Sequence, residues 1–210
     1  MSINVQKHMK EFAVASFGHA LWHVIMTGRG STPWTEPFGL IHAVHGGELL
    51  IKAAIAQVDP LLIFKKIPKS FDQYKSNDVY GLLLKEGKTF QYRNLPDLLQ
   101  KTTGYSISCI NEYNEMGALR NTIMHFSVPD EDYLNHVLSY LCNVVDPILR
   151  KFWGTQIFQE IVDGWDEQDY YLFDEEPLIQ DALEECGIVF DGWVPSPDSP
   201  RWAYRIDQKA

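Results

Sequence analysis

Between Leu134 and Phe152, the apolar residues Leu134, Val137, Leu138, Leu141, Val145, Ile148, Leu149 and Phe152 return at every third or fourth position. Only a helix gathers such a series on one face, and a helix with one apolar face has to bury it. The rest of the chain supplies partners. Over residues 11–27, Ala13, Phe17, Ala20, Leu21, Val24 and Ile25 keep helical spacing, with Gly28 and Gly30 as the stop. After a turn rich in Gly, Ser and Pro over 28–37, a second stripe of Leu40, Ile41, Val44, Ile51 and Ile55 ends near Asp59-Pro60. A third, over 107–126, places Ile107, Ile110, Met116, Leu119, Ile123 and Phe126 on one side, with Pro129 beyond its end and Asp130 as the cap of the helix that follows. Four amphipathic helices predict an all-α bundle. Residues 60–106 are less regular: LLIF reads as a short helix or a strand, KTFQYRN as extended, and LPDLLQKTTG as a short helix closed by Gly104.

Charge divides the chain. Of its 210 residues, 1–151 hold 15 Lys and Arg against 14 Asp and Glu, whereas 152–200 hold 13 acidic residues and no basic one. The organisation expected is therefore a helical domain over 1–153 and an acidic, aromatic-rich extension over 154–210, docked on the body or on a partner through its tryptophans. Within the extension IFQEIVDGW and PLIQDALEECG read as short helices, and GIVFDGWVP and the segment from Trp202 as extended. The body is nearly neutral, so the net charge of −10 does not exclude a polyanionic partner for it. Its basic residues are densest over 65–101, where Lys65, Lys66, Lys69, Lys75, Lys85, Lys88, Arg93 and Lys101 face four acidic residues. A solvated loop region is the plainer reading of that patch. Cys109, Cys142 and Cys186 are far apart and odd in number, which argues against a disulfide framework or a zinc ribbon. With no apolar run approaching about 18 residues and no basic flank followed by an apolar stretch, no membrane association and a cytoplasmic location are expected.

One constellation carries chemistry. In ALRNTIMHF, late in the third helix, Arg120 and Asn121 are followed by His125. With Leu119 at zero on a helical wheel, the apolar stripe centres near about 20°, Arg120 lies near about 100°, Asn121 near about 200° and His125 near about 240°. The last two are thus one turn apart on a face turned from the stripe. In a chain with six Arg and seven His, an Arg followed by a His four to six residues on arises by chance about 0.6 times; requiring Asn directly after the Arg lowers that to about 0.02.

On these residues the chain resembles the HEPN superfamily, helical domains whose ribonuclease members carry Arg, a polar residue that is often Asn, and a His four to six residues after the Arg. The second helix, HAVHGGELLIKAAIAQVDPLLIF, is similar too, with Glu48 and Lys52 one turn apart before Asp-Pro and an apolar run. The likeness spans about residues 7–153 and implies a HEPN-like bundle of four main helices. It further implies a metal-independent endoribonuclease acting as a toxin or defence effector on an RNA substrate, a composite site in a homodimer, and an antitoxin or regulatory protein as a further partner. Ser127 stands where toxins silenced by a nucleotidyltransferase carry Tyr, which weighs against that mode of control. The residue chemistry agrees with an RNA-cleaving role. RNA supplies its own nucleophile, the 2′-hydroxyl, so cleavage needs a proton carrier that works near neutrality and a cation for the phosphorane, and no cofactor or metal. His125 and Arg120 are those groups, and Asn121 can hydrogen-bond the imidazole or the substrate. The alternative from a different class is a non-catalytic HEPN-like module that binds RNA, a nucleotide or a protein.

The remaining histidines offer a weaker reading. His19 and His23 are four apart on the first helix and His42 and His45 three apart on the second, spacings that permit a metal site between facing helices. Their angles put them opposite the apolar stripes, so solvent-facing or interface histidines are expected instead.

Overall fold

A computed structural model of the chain describes residues 4–26, 34–66, 87–164 and 175–191. Among these residues the fold is all-α apart from one two-stranded ribbon. Helix α1 (Val5–Leu21) starts at Asn4, whose Oδ1 accepts from Lys7 N at 3.1 Å, and runs on into a π-helical turn over Trp22–Met26. The expected stop at Gly28 and Gly30 lies outside the described residues. Helix α2 (Thr35–Ala56) is followed by a 3₁₀ turn over Pro60–Ile63, started by Asp59 Oδ1 accepting from Leu61 N at 2.8 Å. The LLIF segment is thus first a turn and then strand β1 (Phe64–Lys66), which pairs antiparallel with β2 (Lys88–Thr89). A second 3₁₀ turn, Tyr92–Asn94, leads into α3 (Leu95–Thr103), closed as expected by Gly104 at φ 75°. Helix α4 (Ile110–His125) carries the Arg-Asn-His constellation.

The fourth predicted helix is a rod with a fault in it. Helix α5 (Tyr133–Tyr140) passes through a π turn, Leu141–Val145, into α6 (Asp146–Trp153). Pro147 has no N–H to continue the ladder, and Asp146 N reaches back five residues to Leu141 O, which absorbs the interruption without ending the helix. Its cap is Asp132, whose carboxylate accepts from Asn135 N at 3.0 Å, and not Asp130.

Helix α2 is the axis of the fold, flanked by α1, α3, α4 and the α5–α6 rod. This is why its residues are buried on almost every side in its second half, where Leu50, Ile51, Ala54 and Ile55 are all inaccessible. A one-sided stripe understates it. By length and composition alone α2 could cross a membrane, and 67% of that stretch is buried inside the protein. Two adjacent glycines make the close packing possible. A Cβ on Gly46 would come within 2.6 Å of the Phe17 ring on α1, and one on Gly47 within 2.0 Å of the Tyr140 hydroxyl on the rod.

The described part of the acidic extension belongs to the same core. Helix α7 (Ile157–Gly164) buries Ile157, Phe158 and Ile161, and α8 (Glu175–Glu185) buries Ile179, Ala182 and Leu183. The buried carboxylate of Asp146 holds α7 in place by accepting from Ile157 N at 2.9 Å and from Arg150 Nε, and Lys10 on α1 pairs with Glu160. The segment GIVFDGWVP is described only as far as Asp191 and forms no strand there; Trp165, Trp193 and Trp202 lie outside the described residues.

Candidate functional site

Helix α4 is rolled from the orientation that its apolar residues suggest. Its buried residues are Tyr113 and Met116, at about 120° and 60° on the same wheel, while Ile110 and Met124 are exposed and Phe126 is 87% exposed. The cause is a tyrosine cluster that hydropathy does not reveal. Tyr113 stacks on Tyr92 with ring centroids 4.0 Å apart, and each hydroxyl donates to the other's backbone carbonyl, at 3.0 Å from Tyr92 and 2.7 Å from Tyr113. The Tyr140 hydroxyl lies 3.1 Å from that of Tyr92 and, since the Tyr92 proton is already committed, is the donor. Burial, first of all, raises all three phenols above their ordinary value, so they remain neutral donors. Gly117 completes the contact: a Cβ there would lie 2.7 Å from the Tyr92 ring. The 3₁₀ turn is thereby locked against α4.

Between that turn, α2 and α4 an open cleft of about 770 Å³ remains, and Arg120, Asn121 and His125 all line it. Val44 and Glu48 come to it from α2, Gln91 and Arg93 from the turn and its flank. Arg120, about 80° from the expected stripe on the wheel, lies on the edge toward α2, because the packed side of α4 is rolled toward it. There its Nη2 is 3.7 Å from Glu48 Oε2, and its Nη1 donates to Asn121 Oδ1 at 3.0 Å. Asn121 therefore orients the guanidinium, and no hydrogen bond links it to His125 among the described residues. The imidazole of His125 stands exposed on the last turn of α4.

Glu48 has a second partner. Lys52, with its side chain only 8% exposed, donates to Glu48 Oε1 at 2.6 Å and to Thr89 Oγ1 on β2 at 3.1 Å. The lysine thus balances the carboxylate from behind, and Arg120 keeps most of its charge for the cleft. The pairing of Glu48 with Lys52 was legible as a one-turn spacing. The partnership of Glu48 with Arg120 crosses between helices, and nothing in the spacing points to it. Gln91 and Asn114 were likewise not singled out in sequence, because only the tyrosine lock brings them to the same space.

The other histidines are a different arrangement. They do not point away from each other: α1 and α2 face one another, and the rings gather along the rim of their seam. His23 stacks on His42 with centroids 5.4 Å apart and an interplanar angle of 5°, His19 lies 5.7 Å from His42, and His45 meets Phe12 edge-on. Burial, and then the neighbouring imidazoles, lower the basicity of His42 and His23. Among the described residues no three His, Cys, Asp or Glu side chains converge as a metal site does.

Comparison of the chain with protein-family models, with curated proteins and with solved structures finds no match in any of the three.

Proposed function

We propose that the protein is a metal-independent endoribonuclease whose reaction takes place in the cleft between α2 and α4. The observation that carries this reading is that Arg120, Asn121 and His125 line one open cleft. In the reaction the RNA 2′-oxygen attacks the adjacent phosphorus and the 5′-oxygen of the next nucleotide leaves, so the products are a 2′,3′-cyclic phosphate and a 5′-hydroxyl. His125 moves the proton, taking it from the 2′-hydroxyl or giving it to the leaving oxygen. Arg120, held in direction by Glu48 and Asn121, has further N–H donors for the phosphorane oxygens.

The HEPN-like arrangement is part of the proposal, with α1, α2, α4 and the α5–α6 rod as its four main helices. So are a homodimeric composite site, a toxin or defence role held in check by an antitoxin or regulatory protein, and action in the cytoplasm. An exposed apolar rim of Met124, Phe126 and Val128 around His125 supports a second copy as neighbour. The non-catalytic alternative keeps one observation of its own: no side chain among the described residues orients His125, whereas the cation of the cleft is oriented. Purified protein incubated with total RNA and with DNA, in the presence of EDTA, separates the two. Cleavage of RNA alone, with cyclic phosphate ends, is the expected result; intact RNA that is nevertheless bound favours the module.

A further inference from the structure

The cleft holds a cation that the proposed chemistry leaves unused. Arg93 lines it from the 3₁₀ turn, exposed, and has no ion-pair or hydrogen-bond partner among the described residues. Its backbone is one of the best-fixed parts of the cleft, because Tyr92 beside it is stacked, doubly hydrogen-bonded and buried. A free guanidinium on a locked base is a preorganised anion contact.

The surroundings point the same way. Two guanidiniums, Arg93 and Arg120, line this space against one carboxylate, Glu48, which Lys52 already balances from behind. The basic side also continues beyond the cleft. Thr89, which accepts from Lys52, belongs to the ribbon whose exposed residues include Lys65, Lys66 and Lys88, and the chain passes from Lys88 to Arg93 in five residues. The acidic extension does not cover this side in its described part, which packs on α1 and the rod and lines none of the cleft. Arg93, in a stretch plainest as a solvated loop in sequence, thus lines the same cleft as Arg120. About 770 Å³ is also the size of a site for one small ligand, so the cleft has room within it for a nucleotide or two.

We infer that Arg93 is a positioning residue that binds the phosphate next to the scissile one, and that the ribbon lysines continue this path, so that the protein selects single-stranded RNA by at least two consecutive phosphates. The inference rests on the proposed reading for the identity of its ligand, and its test is chosen to be independent of catalysis. The probe is a fluorescent 2′-O-methyl oligouridylate of about eight nucleotides, which cannot be cleaved because its 2′-oxygen is blocked, titrated against a series of salt concentrations.

Arg93→Ala is expected to weaken binding about tenfold and to reduce the salt slope by about one ion. Arg93→Lys should recover most of the slope, and Lys7→Ala, which removes an exposed cation at the start of α1 outside the cleft, should bind within about twofold of the parent. With cleavable RNA, Arg93→Ala should raise KM and leave kcat within a few-fold. Affinity and slope unchanged in Arg93→Ala, or no binding of the probe at all, overturns the inference. Binding that depends on Arg93 in a protein that cuts no RNA upholds the subsite and removes only the proposed chemistry.

Discussion

Two places beside α2 gather imidazoles or their partners at helical spacing, and they end in opposite conditions. Asn121 and His125 are four apart on α4; His19 and His23 are four apart across α1 and its π turn. In the first place the side chains differ in kind and stand around open space: a guanidinium, an amide, an imidazole and a carboxylate line the same cleft. In the second, like meets like. Three imidazoles lie ring to ring along the α1–α2 seam, and each one's charge would oppose its neighbour's. Spacing along one helix therefore says little about chemistry; what lies across from it decides. Across from α4, beside the place where Tyr92 and Gly117 lock the turn against it, an open cleft remains, whereas across from α1 is α2 itself, brought close by Gly39 and Gly46.

On the cleft side, removal of the guanidinium should be felt strongly. Arg120→Ala is expected to lower RNA cleavage by about 10²–10³-fold by removing the cation for the phosphorane, and Arg120→Lys should recover only part, since a point charge cannot reproduce the fork. Single-turnover rates at saturating RNA measure this. A loss through KM alone would place Arg120 in binding and not in the chemistry.

Next comes a pair of glycines that separates the two regions by their packing. Gly117→Ala and Gly46→Ala each drive a Cβ to within 3.0 Å of a buried ring, Tyr92 and Phe17 respectively. The overpacking, set against the gain in helix propensity, should cost about 1–2 kcal/mol in each case by denaturant unfolding. Only Gly117→Ala should also weaken RNA binding, because only Tyr92 carries a wall of the cleft. Equal effects on binding would mean that the cleft depends on general stability and not on the tyrosine lock.

The smallest effect concerns pH. Burial and mutual repulsion hold His42 and His23 below the ordinary histidine value of about 6.5 in the folded state. As pH falls through that value the unfolded chain takes up protons before the native one does. Their contribution is therefore intact above about pH 6.5 and is lost progressively as pH falls toward their lower folded values. His42→Gln should flatten the decline of melting temperature between about pH 7 and 5. A decline that stays as steep would assign it to other groups.

How much of this was legible differs from helix to helix. The rod, α1 and α2 follow from apolar periodicity, and α3 from its closing glycine, because in each the residues that look apolar are the residues that pack. In α4 they are not. Leu119 and Ile123 are only half-buried and Phe126 is free, while Tyr113 and Gly117, neutral in any hydropathy reading, make the contacts. Their role depends on Tyr92, some twenty residues away and in a stretch without a period, so the roll of the helix was out of reach and with it the true direction of Arg120. The π turn at Pro147 was hidden for the opposite reason: the stripe runs through it unbroken. For the site, the three residues were found from their order along the chain and do share a cleft, but Glu48 and Arg93 became its members only through tertiary contact.

On the proposed reading the α2–α4 cleft, and not the histidine seam, cleaves RNA. The measurement that tests it most directly is cleavage of an end-labelled RNA in EDTA by the parent protein, His125→Ala and His42→Ala, side by side, with all three confirmed as folded. Cyclic phosphate products are expected from the parent and from His42→Ala at rates within a few-fold of each other, with a loss of about 10²–10⁴-fold in His125→Ala. Full activity in His125→Ala, or loss in His42→Ala alone, would contradict it.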